Sequence, residues 1–278
     1  MNYEGKVDSD GTILADRVEF MRNELEKGEA SLWKSLKVKE RIPDFQNSKS
    51  GESKIDRIGK YKLLPNKEVQ DYVDRIARTL IPVYQRELPD SDPLKLQFRF
   101  YVVVNKEPNA FALPNSVVVI NSGMFEVLEN EAQLASVIGH EIGHSVQEHT
   151  WRQMQYHRKK RMAFAIGGKL AIRNGYQRSL ENQSDRMGLE YMVAAGYDPR
   201  EAPRVWKQMA KKLGDANTNF FYSDHDNHAT RRSYLMLEIR NNYGELSYSA
   251  LRTNEEEYRR VAHLVTASPN QSRKIKVN

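Results

Sequence analysis

His140-Glu141-Ile142-Gly143-His144 is the stretch of this chain whose spacing makes a specific chemical demand. In a helix, residues four apart stand one turn apart on one face, so His140 and His144 can both reach a single ion. Two imidazole nitrogens presented that way suit Zn²⁺, with bonds of roughly 2.0–2.1 Å. Glu141 lies about 100° around the helix, where its carboxylate meets a water beside the ion rather than the ion itself. A water polarised there is a nucleophile near neutral pH, and Glu141 can take its proton.

The flanking residues supply the helix that this chemistry needs. Leu134, Ile138, Ile142 and Val146 recur at steps of four, which predicts a buried stripe. Asn130 is a suitable N-cap, Glu131 falls in the first turn and Gln133 lies three residues past the cap, close to a capping box. Gly139 and Gly143 each cost about 1 kcal/mol relative to Ala inside a helix, so a close backbone approach is expected on that side. Upstream, Leu96, Phe98, Phe100, Val102 and Val104 alternate with Lys95, Gln97, Arg99 and Tyr101, the pattern of a half-buried strand. Asn109 to Asn115 reads as a turn-rich crossing, and Val117-Val118-Val119-Ile120 as a second short strand before the motif helix. A helix is expected over Lys67–Gln85, with Pro82 near its end. Helical sequence dominates from Thr150 to about Arg240, with a break at Gly196-Tyr197-Asp198-Pro199. Residues 12–39 carry Leu14, Val18, Met21, Leu25, Leu32 and Leu36 among charges, which predicts one or two amphipathic helices outside the main body. Residues 43–54 read as a loop or linker, and the end after Ser268 as frayed.

Composition narrows the chemistry. The 278 residues hold 43 Lys+Arg against 37 Asp+Glu, a net charge of +6. That mildly basic surface favours anionic partners, yet no nucleic-acid motif is present and no nucleic acid is expected. The run Arg158-Lys159-Lys160-Arg161 reads as a solvated helix face or a peripheral contact with an anionic membrane. With no cysteine, disulfides, thiolate metal sites and cysteine nucleophiles are excluded, and any metal must be held by His and carboxylates. No apolar run approaches the roughly 18 residues that span a bilayer, and the early Asp8, Asp10 and Asp16 are unlike a signal peptide. A soluble protein is expected: cytoplasmic, or in a bacterial periplasm or envelope if an export segment is missing from this chain.

Two histidines need a third protein ligand. His149, His157, Glu181, Asp185, His225 and His228 are the candidates. Glu181 and Asp185 stand out because i and i+4 share a helix face. Glu181 could then bind metal while Asp185 accepts the second N–H of a ligand histidine.

The pentad, Glu181-x-x-x-Asp185 and Ala195-Gly196-Tyr197-Asp198-Pro199 together resemble the gluzincin zinc metallopeptidases of the HtpX and BepA type. That family also contains the CAAX prenyl protease and the Oma-type peptidases. The resemblance runs from about Leu63 to Leu237, close to two thirds of the chain. Asn109-Ala110-Phe111-Ala112-Leu113-Pro114 is similar to the family segment before the active-site edge strand. Arg178 matches its basic residue before the third ligand, and Val205 to Met209 the helix after the Gly-Tyr-Asp-Pro turn. The likeness implies Glu181 as third zinc ligand and Asp185 as partner of a ligand histidine. It gives His149 no direct metal role, leaving it to cap or pack the helix end. A family His with an Arg six residues later is matched by His225 and Arg231, with Asp226 where the family has Pro. A cationic His225 could stabilise a developing oxyanion, whereas a neutral one could occupy the open metal position and hold the enzyme latent.

The resulting expectation is an α+β, mainly helical, zincin-like fold with a small β-sheet beside the motif helix. Its parts are an N-terminal helical extension and linker over 1–60, a peptidase domain over 61–240 and a tail over 241–278. The expected function is a zinc endopeptidase with one Zn²⁺ per chain, bound by His140, His144 and Glu181. Glu141 and His225 are catalytic, and Asp185 and Arg231 orient the site. The expected substrate is extended or unfolded polypeptide, bound by strand addition to Val117–Ile120. The alternative is a latent or chaperone-like binder of the same fold. Oligomeric state is not legible in the sequence.

Overall fold

The computed structural model describes residues 2–7, 13–19, 45, 51–55, 59–92, 94–113, 116–149, 173–213 and 228–267. The chain divides into two compact units, residues 1–39 and 40–278. In the first, β1 (Asn2–Val7) pairs antiparallel with β2 (Ile13–Glu19). This corrects the helical reading of residues 12–39 over that stretch.

The second unit contains an antiparallel pair, β3 (Glu52–Ile55) and β4 (Gly59–Lys62), and β3 overlaps the linker expected over 43–54. Helix α1 (Lys67–Leu80) starts at the Asn66 cap, whose side chain accepts from Val69 N–H, and buries Val69, Tyr72, Val73, Ile76 and Leu80. It stops before Pro82, because the residue ahead of a proline is driven to extended backbone; Ile81 has ψ 126°. A short α2 (Val83–Glu87) follows.

Three strands then form the sheet beside the site: β5 (Arg99–Val103), β6 (Ala110–Ala112) and β7 (Val117–Asn121), in the order β5-β7-β6. β7 runs parallel to β5 and antiparallel to β6. Two expectations are corrected here. The alternation in residues 95–104 suggested one buried face, but β5 is covered on both. Phe100 and Val102 face the main core, while Tyr101 and Val103 pack with Phe45, Phe111, Val117 and Val119. Within the turn-rich crossing, Ala110–Ala112 is a strand. β7 is consequently the central strand, which explains its unbroken apolar run and leaves β6 as the outer one. The far side of β5 is bridged by Leu63 and by backbone bonds from Leu64 and Val104.

After a 3₁₀ turn at Ser122–Glu126 comes α3 (Glu131–Val146). The Asn130 side chain accepts from Gln133 N–H at 2.9 Å, and Gln133 Oε1 accepts from Glu129 N–H, one residue short of the capping-box partner. Within α3 only Ser136, Val137 and Val146 are partly exposed, so this is a central helix rather than a surface one. The remaining helices are α4 (Arg173–Ala194), α5 (Ala202–Leu213), α6 (His228–Asn242) and α7 (Glu255–Ala267). The architecture is α+β and mainly helical, as a zincin-like fold requires. Residues 241–278, expected as a tail, contain α7, whose Tyr258, Val261 and Val265 are buried in the same core.

Candidate metal centre

Helices α3 and α4 approach unusually closely, and glycine is the reason. A Cβ added to Gly139 would lie 3.2 Å from Gly188 O, and one on Gly143 would lie 3.2 Å from Ser184 Cα. The helix-weakening glycines thus admit the α4 backbone, which brings Glu181 over the two histidines.

The ligand atoms converge. His140 Nε2 and His144 Nε2 are 2.9 Å apart, Glu181 Oε2 is 3.3 Å from the former, and Glu181 Oε1 is 3.4 Å from the latter. A tetrahedral centre with bonds of roughly 2.0–2.1 Å sets neighbouring ligands about 3.3 Å apart, so the spacing fits a single ion. All three side chains are buried, and among the described residues this is the one His/carboxylate group close enough to hold a metal.

The surrounding groups orient the site. His140 Nδ1 lies 2.9 Å from Asp185 Oδ1; donating its proton there leaves the Nε2 lone pair facing the ligand cluster. Arg231 is fully buried. Its Nη1 is 3.1 Å from Glu181 Oε2, its Nε is 3.0 Å from Asp185 Oδ2, and Nη2 also meets Asp185. Its guanidinium stacks 3.6 Å from the Trp206 ring centroid, a geometry that favours Arg over Lys. Burial pushes the Asp185 carboxyl up, but Arg231 and the His140 hydrogen bond outweigh it and hold it below its usual range. For His140, burial and Arg231 oppose protonation, and the bonds to Asp185 and Glu181 win, raising its pKa to about 9.

Glu141 is buried beside this cluster and faces a pocket floored by Ala110, Met124, Val137, Val205, Trp206 and Met209. Burial raises its carboxyl pKa to about 7, with His140 opposing, Glu181 adding to the rise, and the Ala112 N–H of β6 opposing.

The structure therefore gathers His140, Glu141, His144, Glu181, Asp185 and Arg231 around one point. His225, His157 and the basic run Arg158–Arg161 lie outside the described residues, and the side chain of Arg178 is not described. One contact was not foreseen, Trp206 over Arg231; His149, expected to cap or pack the helix end, lies against His144. His149 carried a signal, being a histidine just past the motif helix, but its direction depends on how that helix ends.

A profile of peptidase family M48 matches residues 65–174 and 161–236, more than half of the chain. This chain belongs to peptidase family M48. The M48 relatives include the mitochondrial metalloendopeptidase OMA1 of Arabidopsis thaliana, 33% identical over 155 residues, covering 49% of this chain and 31% of that protein. The OMA1 of Schizosaccharomyces pombe is 27% identical over 169 residues, covering 53% of this chain and 48% of it. The beta-barrel assembly-enhancing protease of Escherichia coli K12 is 28% identical over 148 residues, covering 45% and 30%. The chain thus spans between about a third and a half of the length of these relatives. Membership in a metallopeptidase family agrees with a metal at the His140–His144–Glu181 cluster.

A bulky residue at the helix crossing tests how the cluster is assembled. A Cβ on Gly188 would already lie 3.0 Å from His140 N. Gly188→Ile is expected to destabilise the fold by about 1–3 kcal/mol through overpacking and to weaken metal binding by parting Glu181 from the histidines. Thermal melts and chelator competition read the two effects; metal affinity unchanged from wild type would show that the crossing does not set the ligand spacing.

Proposed function

We propose that this M48 chain is a zinc-dependent endopeptidase acting on extended or misfolded polypeptide, with one Zn²⁺ held by His140, His144 and Glu181. The observation that carries this reading is the buried convergence of two Nε2 atoms and a carboxylate within 4.8 Å, with the Glu141 carboxylate beside them. The N,N,O donor set suits zinc, which when bound polarises a peptide carbonyl and acidifies water.

The remaining steps belong to the protein. Glu141 can accept a proton from water and return it to the leaving amine. The Ala112 N–H bonds its carboxylate and ties the base to β6. Asp185 keeps the His140 proton on Nδ1, and Arg231 balances the charge of Glu181 and Asp185. His225 would assist the oxyanion or, as a neutral ligand, hold the enzyme latent.

Substrate would add as a strand to β6, the outer strand, rather than to β7 as the sequence suggested; β7 is paired on both edges. Main-chain bonding of this kind tolerates varied sequence. Among the described residues no helix is long and apolar enough to cross a membrane. An envelope location rests on likeness to the beta-barrel assembly-enhancing protease.

Zinc-loaded protein is expected to cleave unfolded casein, lose that activity with a chelator and regain it on adding Zn²⁺. Casein left intact by protein shown to hold zinc would count against the endopeptidase reading and favour the latent or chaperone-like one.

A further inference from the structure

His144 has different neighbours at its two ring nitrogens. Nε2 faces His140 and Glu181, whereas Nδ1 lies 3.0 Å from Nδ1 of His149. His149 is fully buried, and its other nitrogen, Nε2, is 3.2 Å from Gln183 Oε1. The Ser184 hydroxyl lies 3.1 Å from His149 Nδ1, and as a rotor it can donate or accept.

The orientation of the Gln183 amide sets the proton order. With Oε1 placed toward His149, the oxygen accepts and the His149 proton sits on Nε2. Neutral His149 then offers Nδ1 as an acceptor. The nitrogen facing it, His144 Nδ1, must carry the hydrogen, which leaves the His144 lone pair on Nε2, toward the ligand cluster. The opposite arrangement would point an N–H of His144 into that cluster, where it could bind no metal.

We propose that Gln183 and His149 form a tautomer relay that holds His144 in its metal-binding form, with His149 as a positioning residue. The proposal rests on the zinc reading given above. It means that the two ligand histidines are steered by different acceptors: His140 by the Asp185 carboxylate, His144 by a neutral imidazole. The chain ending of α3 places the relay. Glu148 adopts the left-handed conformation at φ 54°, a costly choice for a residue other than glycine, and this turns His149 back against His144 and α4.

The test is zinc affinity by competition with a chromophoric chelator, together with the d–d spectrum of Co²⁺-substituted protein. His149→Phe fills the space but accepts nothing; His149→Asn keeps an acceptor oxygen. His149→Phe is expected to weaken zinc roughly 10–100-fold and to alter the Co²⁺ spectrum. His149→Asn should keep most of the affinity and the wild-type spectrum. Equal weakening by both, or none by His149→Phe, would overturn the relay and leave His149 as packing. If His149→Phe does not fold, Gln183→Leu on the exposed side of α4 decides: several-fold weaker zinc with an unchanged apo melting temperature supports the relay, and unchanged affinity overturns it. Failure of the wild-type protein to bind zinc would instead overturn the zinc reading itself, so the two failures are distinct.

Discussion

Glu141→Gln is expected to lower kcat on unfolded casein about 10²–10⁴-fold, the usual contribution of a positioned general base, while zinc remains bound at one ion per chain. Glutamine matches glutamate in shape, and its amide oxygen can still accept from the Ala112 N–H that bonds Glu141. It cannot take a proton. Because Glu141 lies outside the convergent ligand set, metal content and folding should stay close to wild type. Turnover measured beside metal stoichiometry separates the outcomes. Loss of activity together with loss of zinc would make Glu141 a ligand or a structural element. Equal cleavage by both proteins would falsify the general-base assignment and indicate a contaminating protease.

Arg231→Met is expected to give the largest loss of stability. The guanidinium is fully buried and meets both Glu181 and Asp185. Removing one partner of a buried ionic network strands the others, at a cost of about 3–5 kcal/mol. For a domain of this size that corresponds to a fall in melting temperature of roughly 6–20 °C. Methionine keeps much of the volume, so the effect reports charge and the lost stacking on Trp206 more than a cavity. A divalent ion on Glu181 can replace part of the missing positive charge. The fall should therefore be smaller in zinc than in chelator, because a ligand that binds only the folded state stabilises it. Arg231→Lys should lie between, retaining charge without the planar fork. A fall of under about 1 kcal/mol in chelator, the value of an exposed pair, would mean that the carboxylates do not depend on this cation.

Legibility in the sequence followed the range of the interactions. The cap of α3, its stripe through Leu134, Ile138 and Ile142 and the shared face of His140 and His144 are local. The paired glycines were readable as a demand for close approach, although Gly188 and Ser184 as the approaching residues were not. The alternation of β5 suggested one buried face, because period alone does not show what packs on the polar-looking side; Tyr101 and Val103 are covered by Phe45, Phe111 and Val119. The stretch Ile13–Glu19 was read as helix because so short a segment carries too few apolar residues to separate the two periods.

By itself the sequence determined that one helix presents two imidazoles and a carboxylate, since a rise of 3.6 residues per turn leaves His140, Glu141 and His144 no other relative placement. It also excluded thiolate chemistry, there being no cysteine. The tertiary structure decided which carboxylate lies beside the two histidines, for Glu181 is on another helix and reaches them through the glycine crossing. It decided as well that β6 is the outer strand, that Arg231 is sealed beneath Trp206 and that His149 turns back onto His144. Each of these depends on residues brought together by packing, and helix or strand period carries no information across such separations.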